Sequence, residues 1–209
     1  MDINRTLRLT DDRYVKEEHP KKQIYLHHTV GGSAKSSFDW WQSQPSRIAT
    51  AYLIDRDGII YEVFDPKYWA WHLGVNNRKY DQQSIGIELC NFGGLVKKDD
   101  KLYILDGVQE FKGKHITKSW RTYEHWEAYT DKQQEATRWL VNSLCDQFNI
   151  PKKIVEGDHL RFDLSLLDFE GIVSHCNVRN DKTDVHPGFD FFELKKYIEI
   201  RTFHRMGTV

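Results

Sequence analysis

Short apolar runs that end in polar residues recur along the chain, and they predict the strands of a sheet. The run 24–26 contains only β-forming or apolar residues and is followed by His27 and His28, which predicts a buried strand ending at a histidine pair. Neighbouring side chains on a strand point to opposite faces. Only one of the two histidines can therefore face a given site, and the other must lie on the far side of the sheet.

Two further runs, 49–54 and 59–64, flank an Asp57-Gly58 step. This step predicts a tight antiparallel hairpin, because glycine accepts the positive φ that the turn needs. The run 84–91 predicts another buried strand, although Glu88 lies in its middle. An ionised carboxylate there must be paired, bound to a cation or placed at an opening. We expect this strand to lie beside the one that ends at His27.

Apolar positions at helical spacing predict the helices. Thr130 has the pattern of an N-cap for a helix from 131 to about 148, whose apolar stripe belongs to the core. Capping-type serines predict a short helix over 36–42. A closing helix over 189–201 offers four side chains for burial, which are Phe192, Leu194, Tyr197 and Ile198.

The predicted architecture is a single α/β domain with a sheet flanked by helices. With 209 residues, of which 39% are hydrophobic, the chain is long enough for one well-buried domain and short for two. Residues 1–21 are charge-rich, and we interpret them as an N-terminal arm or loose edge rather than a core element. The domain proper spans 22–209, and residues 92–129 form an insertion of short strands that we expect to fold over a cleft.

Composition and charge narrow the partners and the compartment. A net charge of −1 and a pI near 6.8 do not favour nucleic acid or an anionic membrane as the main partner. Cys90, Cys145 and Cys176 are odd in number and widely spaced, which argues against a disulfide framework or a structural zinc site. The polar N-terminus and the lack of a long apolar run predict no signal peptide and no membrane insertion, so we expect a protein that is cytoplasmic at synthesis. We also expect a monomer.

A second polar cluster far down the chain raises the prospect of a metal site. An apolar run delivers His175 to its C-terminal end, and the polar loop that follows contains Asp184 and His186. Two strand-end histidines and one loop residue make three ligands, the number that a catalytic zinc keeps when its fourth position is left for water. His27 and His175 are the first two predicted ligands, and the third is Asp184 or His186. The alternative is a set of hydrogen-bonded core histidines.

Aromatic residues suggest where a substrate would bind. The segment 68–74 is dense in aromatic residues, contains His72 near its end and is followed by Asn76 in a turn. It either plugs one end of the sheet or lines a polar cleft for a substrate with amide and sugar groups. Trp40 and Trp41 either pack their helix down or stack on sugar or peptide at a cleft rim.

These motifs occur together in the order of a known family and cover roughly residues 23 to 190. The chain resembles the zinc-dependent N-acetylmuramoyl-L-alanine amidases that share a fold with peptidoglycan recognition proteins and phage lysozyme-type amidases. The resemblance implies a central mixed sheet with zinc at the C-terminal ends of its strands. It is carried by Leu26-His27-His28-Thr29, the hairpin 52–61, Ala70-Trp71-His72-Leu73-Gly74, the strand 84–89, Ser174-His175 and Lys182-Thr183-Asp184.

The resemblance implies a set of zinc ligands. The first histidine of the strand-end pair binds zinc in the family, which matches His27, and the histidine before the final loop matches His175. The third family ligand is a Cys or Asp two residues after a lysine, which matches Asp184. That ligand is usually followed directly by proline, however, whereas here His186 precedes Pro187.

The resemblance also implies the other site residues. Glu88 matches a catalytic glutamate of some members, and it becomes the expected general base because Thr50 and Ala51 stand where relatives often carry Tyr or His near the zinc. Lys182 is expected to stabilise the oxyanion. The side chains expected to hold the glycopeptide are His72, Asn76, Trp41 and Trp71.

The implied activity is zinc-dependent hydrolysis of the amide between N-acetylmuramic acid and L-alanine in peptidoglycan. The enzyme would be a phage endolysin released through a holin, or a bacterial wall-lytic amidase. Two alternatives are a non-catalytic peptidoglycan-binding module and a cytoplasmic enzyme that recycles muropeptides. The partner in each case is peptidoglycan or a fragment of it.

Overall fold

A six-stranded mixed sheet forms the centre of the protein, and a second sheet of five strands lies beside it. The computed structural model describes residues 1–104 and 107–206, with 201–206 described by their backbone alone. In this part of the chain the strands are β1 (Ile3–Asn4), β2 (Gln23–His28), β3 (Tyr52–Ile54), β4 (Ile60–Glu62), β5 (Ser84–Leu89), β6 (Gly94–Lys98), β7 (Lys101–Tyr103), β8 (Glu110–Phe111), β9 (His115–Trp120), β10 (Tyr123–Glu127) and β11 (Gly171–Ser174). The helices are α1 (Ala34–Ser43), α2 (Arg78–Gln82), α3 (Asp131–Phe148), α4 (His175–Val178) and α5 (Phe191–Met206), with 3₁₀ turns at Asp11–Arg13 and Leu164–Asp168.

The central sheet has the order β1-β4-β3-β5-β2-β11. The strand β2 runs parallel to both β5 and β11, and β3 is antiparallel to β4 through the predicted hairpin. Gly58 adopts a φ of 85° in that turn, as the Asp-Gly step requires. The predicted class, a single α/β domain with a mixed sheet flanked by helices, is confirmed.

Side chains of β2 alternate between two differently packed faces of the sheet. Ile24 and Leu26 belong to the main core, together with Leu140 of α3 and Leu194 of α5. Tyr25 lies on the other face in a smaller cluster. This face is called the site face below, because it carries His27, and the other is called the core face. Since His27 pairs in register with Glu88 on β5, these two side chains share the site face.

The segment 92–129 forms the second sheet, called the accessory sheet below, with the antiparallel order β8-β7-β6-β10-β9. In the described part of the chain, the residues that line the cleft beside His27 all lie outside this segment, so the expectation that it folds over that cleft is wrong. The accessory sheet instead contacts α4 and the loop after it, since Arg121 donates to the carbonyls of Cys176 and Asn180.

Two further expectations are corrected. Residues 1–21 do contribute to the core, because Leu9 and Tyr14 are buried there and β1 extends the central sheet. Phe192 is 71% exposed, whereas Phe191, Leu194 and Ile198 are buried. The helical spacing of these three residues places Phe192 on the outer side of α5. The N-cap and bounds predicted for α3 are confirmed, with Thr130 accepting a hydrogen bond from the Gln133 N–H.

Cys90, Cys145 and Cys176 are all buried and free, in agreement with the absence of a disulfide framework. None of the helices in the described residues combines the length and the apolar character needed to cross a membrane.

Candidate metal centre

Two parallel strands carry the first two candidate ligands to one edge of the central sheet. Leu26 pairs in register with Ser174, so His27 and His175 both follow directly after that paired position. Asp184 arrives from the loop beyond α4, and its carbonyl accepts a hydrogen bond from the Cys176 N–H at 2.8 Å. The backbone therefore ties the loop to the start of the helix that carries His175.

His27, His175 and Asp184 meet on the site face. The Nδ1 atoms of the two histidines are 3.0 Å apart, and Asp184 Oδ2 lies 3.1 Å from the first and 2.9 Å from the second. All three residues are buried. Within the described residues, this is the group of three whose nitrogen and oxygen atoms lie close enough to share an ion.

The protonation of these groups suits cation binding. His175 Nε2 lies 3.0 Å from the carbonyl oxygen of Leu73, which can only accept, so in the neutral ring Nε2 carries the proton and Nδ1 is bare. Burial and the neighbouring His175 lower the pKa of His27 to about 4. A neutral imidazole and an ionised carboxylate are the forms that bind metals.

Glu88 lies next to this cluster, and few hydrogen bonds or positive charges stabilise its ionised form. Burial and the negative charge of Asp184 raise the pKa of Glu88 well above its ordinary value, and Lys182 opposes that shift. Its Oε2 atom is buried and makes no hydrogen bond in the described part of the protein. Such a carboxylate is poised to accept a proton inside the cleft.

A cleft of about 560 Å³ opens over the cluster. Glu88 and Lys182 line it, and Trp40 and Trp41 of α1 form part of its wall. The side chain of Trp40 is 51% exposed, while Trp41 is 7% exposed. The structure thus brings seven of the nine predicted site residues around one opening, namely His27, Trp41, His72, Glu88, His175, Lys182 and Asp184.

Other predicted residues lie elsewhere. His186 is stacked between Trp126 and Tyr129, with ring centroids 5.0 and 4.4 Å away, and its nitrogens contact the side chain of Asn91 and the N–H of Gly188. It is therefore not part of the ligand group, and of the two candidates for third ligand only Asp184 joins the histidines.

Asn76 and Trp71 lie outside the residues that line the cleft. Asn76 is exposed, and Trp71 packs edge to face against Trp69 with centroids 5.1 Å apart. His72 reaches the back of the cleft, but only 5% of its side chain is exposed. Its Nδ1 lies 3.0 Å from His27 Nε2, so the structure places it behind a ligand rather than on an accessible wall.

Three contacts at the site are missed by the sequence argument. The Leu73 carbonyl, the Ser84 hydroxyl and the Asp81 carboxylate all contact the ligand histidines or His72. A backbone carbonyl gives no residue-type signal. Asp81 could have been noticed as a carboxylate just before a buried strand, in the way that Glu88 was noticed within it.

The fold and the site together define a class of protein. Two parallel strands of the mixed sheet bring a histidine each to one cleft, and a loop adds an aspartate, so this α/β domain can hold a metal ion for hydrolysis. The chain belongs to the N-acetylmuramoyl-L-alanine amidase family, whose model Amidase_2 matches residues 17–188. The prediction that the chain is an amidase of this kind is confirmed. No curated protein sequence matches the chain significantly.

Solved structures share the fold at low sequence identity. A mutant of PlyL is 14% identical with a TM-score of 0.59, covering 95% of this chain and 99% of that one. The catalytic domain of XlyA is 17% identical with a TM-score of 0.56, covering 95% and 99%. AmiD from E. coli is 17% identical with a TM-score of 0.57, covering 93% of this chain and 66% of that one.

Proposed function

We propose that the protein hydrolyses the amide between the lactyl group of N-acetylmuramic acid and L-alanine in peptidoglycan, with zinc held by His27, His175 and Asp184. The observation that carries this proposal is the convergence of three buried ligand atoms on one point. His27 Nδ1, His175 Nδ1 and Asp184 Oδ2 lie 2.9 to 3.1 Å from one another. One cation placed between them could contact all three.

The donor set fits zinc. Two imidazole nitrogens and one carboxylate oxygen are ligands that zinc takes, and three protein ligands are typical of a catalytic zinc. With zinc–nitrogen bonds of about 2.0–2.1 Å, tetrahedral ligand atoms lie about 3.3 Å apart, close to the spacings here of 2.9 to 3.1 Å. A zinc ion bound there would supply Lewis-acid activation of a water and of the scissile carbonyl.

Glu88 acts as the general base in this proposal. Its side chain shares the site face with His27, and its raised pKa makes its carboxylate a stronger base than an exposed glutamate. Glu88 takes a proton from the attacking water at its carboxylate and delivers it to the leaving nitrogen of L-alanine. The proton therefore moves through one side chain in both halves of the reaction.

Lys182 stabilises the oxyanion that develops on the scissile carbonyl. It lines the same cleft as the ligand group, and its positive charge already acts on Glu88 by opposing the rise of that residue's pKa. A fixed positive charge beside a developing negative charge lowers the barrier most where water is excluded.

The substrate class is inferred partly from what the structural neighbours bind. AmiD was solved with anhydro-N-acetylmuramic acid-L-Ala-D-γ-Glu-L-Lys, which contains the bond that we propose is cut. The indoles of Trp40 and Trp41 at the cleft wall offer flat apolar faces on which a sugar ring or a peptide can pack. We assign substrate contact to these two residues, rather than to Asn76 and Trp71.

The biological role that we favour is lysis of the cell wall. Two neighbours of the same fold are an endolysin of Clostridium intestinale and a mutant endolysin from Bacillus subtilis. We propose that the chain acts on intact wall, reaching it by release through a holin in the phage case. Comparing rates on intact sacculi and on soluble anhydro-muropeptide tests this role. A strong preference for the soluble fragment would favour muropeptide recycling instead.

Product analysis tests the proposed reaction. Sacculi treated with the enzyme should release stem peptides with a new N-terminal L-alanine and no new reducing sugar ends. A chelator should abolish the release, and added zinc should restore it. If the wild-type protein binds sacculi and zinc but frees no L-alanine amine, the proposed reaction is wrong and a binding module is left.

A further inference from the structure

The segment His72-Leu73 contacts both candidate histidine ligands from behind. His27 Nε2 lies 3.0 Å from His72 Nδ1, and His175 Nε2 lies 3.0 Å from the carbonyl oxygen of the next residue, Leu73. Each ligand ring thus presents Nδ1 to the cluster and Nε2 to this segment. Two consecutive residues supply one contact to each histidine.

The tautomer of His175 follows from its partner alone. A carbonyl oxygen accepts and cannot donate, so in the neutral ring the single proton is on Nε2. The lone pair of Nδ1 then points toward Asp184 and His27.

The tautomer of His27 follows from a chain of hydrogen bonds. The Ser84 hydroxyl donates its only proton to the Tyr80 carbonyl at 2.6 Å, so it must accept from His72 Nε2, which lies 2.9 Å away. In the neutral ring of His72, Nδ1 is then bare and accepts from His27 Nε2. The outcome is the same as for His175, because Nδ1 of His27 is left without a proton.

The segment that makes these contacts is itself held in place. Asp81 is fully buried, and its Oδ1 accepts hydrogen bonds from the N–H groups of His72 and Leu73 at 2.8 and 3.0 Å. Gly86 gives His72 room against the sheet, since a Cβ there would lie 3.2 Å from His72 Nδ1 and 2.6 Å from the methyl group of Thr50.

We infer that His72 is a positioning residue, which, together with the Leu73 carbonyl, fixes both ligand imidazoles with Nδ1 bare and aimed at the metal position. This inference rests on the proposed function, because a bare Nδ1 matters only where a cation binds. It replaces substrate contact as the role of His72, in line with a side chain that is 5% exposed. Removing hydrogen-bond partners of this kind typically costs about 10–100-fold in metal affinity.

A matched pair of variants separates the hydrogen bond from simple packing. His72→Asn can place its amide oxygen near the position of Nδ1 and so keep an acceptor for His27, whereas His72→Leu fills the space without one. Zinc affinity is measured by competition with a chromophoric chelator on purified, folded protein. We expect His72→Leu to bind zinc about 10–100-fold more weakly than wild type, and His72→Asn to lose much less.

A second measurement does not depend on either variant or on activity. Long-range ¹H–¹⁵N NMR spectra of the histidine rings report which nitrogen carries the proton, and we expect the Nε2–H form for His27 and His175 in the metal-free wild type. A His27 ring protonated on Nδ1 would overturn the inference, and so would equal zinc affinity in His72→Leu and wild type, or an equal loss in both variants. A wild type that binds no zinc would instead contradict the proposed function, and the ring tautomers would still decide the inference.

Discussion

His27 and His28 are adjacent in the sequence and identical in type, yet they serve opposite faces of one strand. On the site face, His27 Nδ1 lies 3.0 Å from His175 Nδ1 and 3.1 Å from Asp184 Oδ2. His28 faces the accessory sheet, where its Nδ1 lies 3.2 Å from the Tyr129 hydroxyl and its ring lies 5.5 Å from that of His186. Burial lowers the pKa of both to about 4. Burial alone therefore does not mark a ligand, and the partners of the ring nitrogens do.

The two faces also depend on each other. On the core-face side, Trp126 and Tyr129 stack on both sides of His186, which lies two residues after Asp184. That stacked group anchors the loop whose carboxylate enters the metal cluster. The accessory sheet thus supports the site from behind instead of covering it.

The largest contrast is expected from alanine replacements of the two neighbours. His27→Ala removes a ligand, so we expect zinc affinity to fall by more than the ~100-fold typical of losing a supporting contact and activity to disappear, with the fold retained. His28→Ala should keep zinc but lower the free energy of unfolding by about 2 kcal/mol or more through the cavity and the lost hydrogen bond. Zinc content and chemical denaturation measure both effects, and loss of zinc in His28→Ala alone would reverse the assignment of the faces.

The next contrast separates metal binding from proton transfer on the site face. In Glu88→Gln we expect kcat to fall by about 10²–10⁴-fold, the usual contribution of a general base, while zinc affinity stays near that of wild type. The decisive assay measures stem-peptide release at saturating sacculi, alongside zinc content. Wild-type turnover in this variant would require another residue to take the proton.

A smaller effect on the site is expected from the support behind it. Trp126→Ala should cost about 3–5 kcal/mol of stability, as for other large buried aromatics, because its side chain is completely buried. We expect a modest loss of zinc affinity as well, since His186 loses one of its stacked neighbours. Unchanged zinc affinity in folded Trp126→Ala would mean that the loop holds Asp184 without the accessory sheet.

The smallest effect on stability and zinc binding is expected for Phe192, an aromatic residue that packs against neither face of the central sheet. Phe192 is 71% exposed on α5, so Phe192→Ala should change the free energy of unfolding by no more than about 0.5 kcal/mol and leave zinc binding unaltered. This variant is the matched control for Trp126→Ala. A large destabilisation would show that α5 packs differently from the structure described above.

Strong local patterns made much of the fold predictable from the sequence. The hairpin follows from its Asp-Gly step, α3 from its apolar stripe and its cap at Thr130, and β5 from the buried run around Glu88. Short strands were predicted over 92–129, but their pairing into a separate sheet was not, because β9 has mostly exposed side chains and no clean alternation. Phe192 was predicted to be buried but is exposed. The first residue of a helix sets which of its apolar side chains face inward, and the sequence did not fix that residue for α5.

The parts of the candidate site that depend on residue type were predictable from the sequence. Histidines at strand ends and a loop carboxylate indicated His27, His175 and Asp184, and the structure brings them together. The family spacing after Lys182 favoured Asp184 over His186, and the structure supplies the physical reason, because His186 is stacked between Trp126 and Tyr129. The support from the Leu73 carbonyl depends on a backbone atom, which no residue pattern reveals.

X-ray absorption at the zinc edge tests the central claim most directly, namely that these three side chains hold one zinc ion. For the zinc-loaded wild type we predict one zinc per chain with two imidazole nitrogens at about 2.0–2.1 Å and light oxygen atoms completing a four-coordinate shell. We predict that His175→Ala, purified and loaded in parallel, retains no stoichiometric zinc. A sulfur ligand in the wild-type spectrum, or full zinc occupancy with two imidazoles in His175→Ala, would contradict the account.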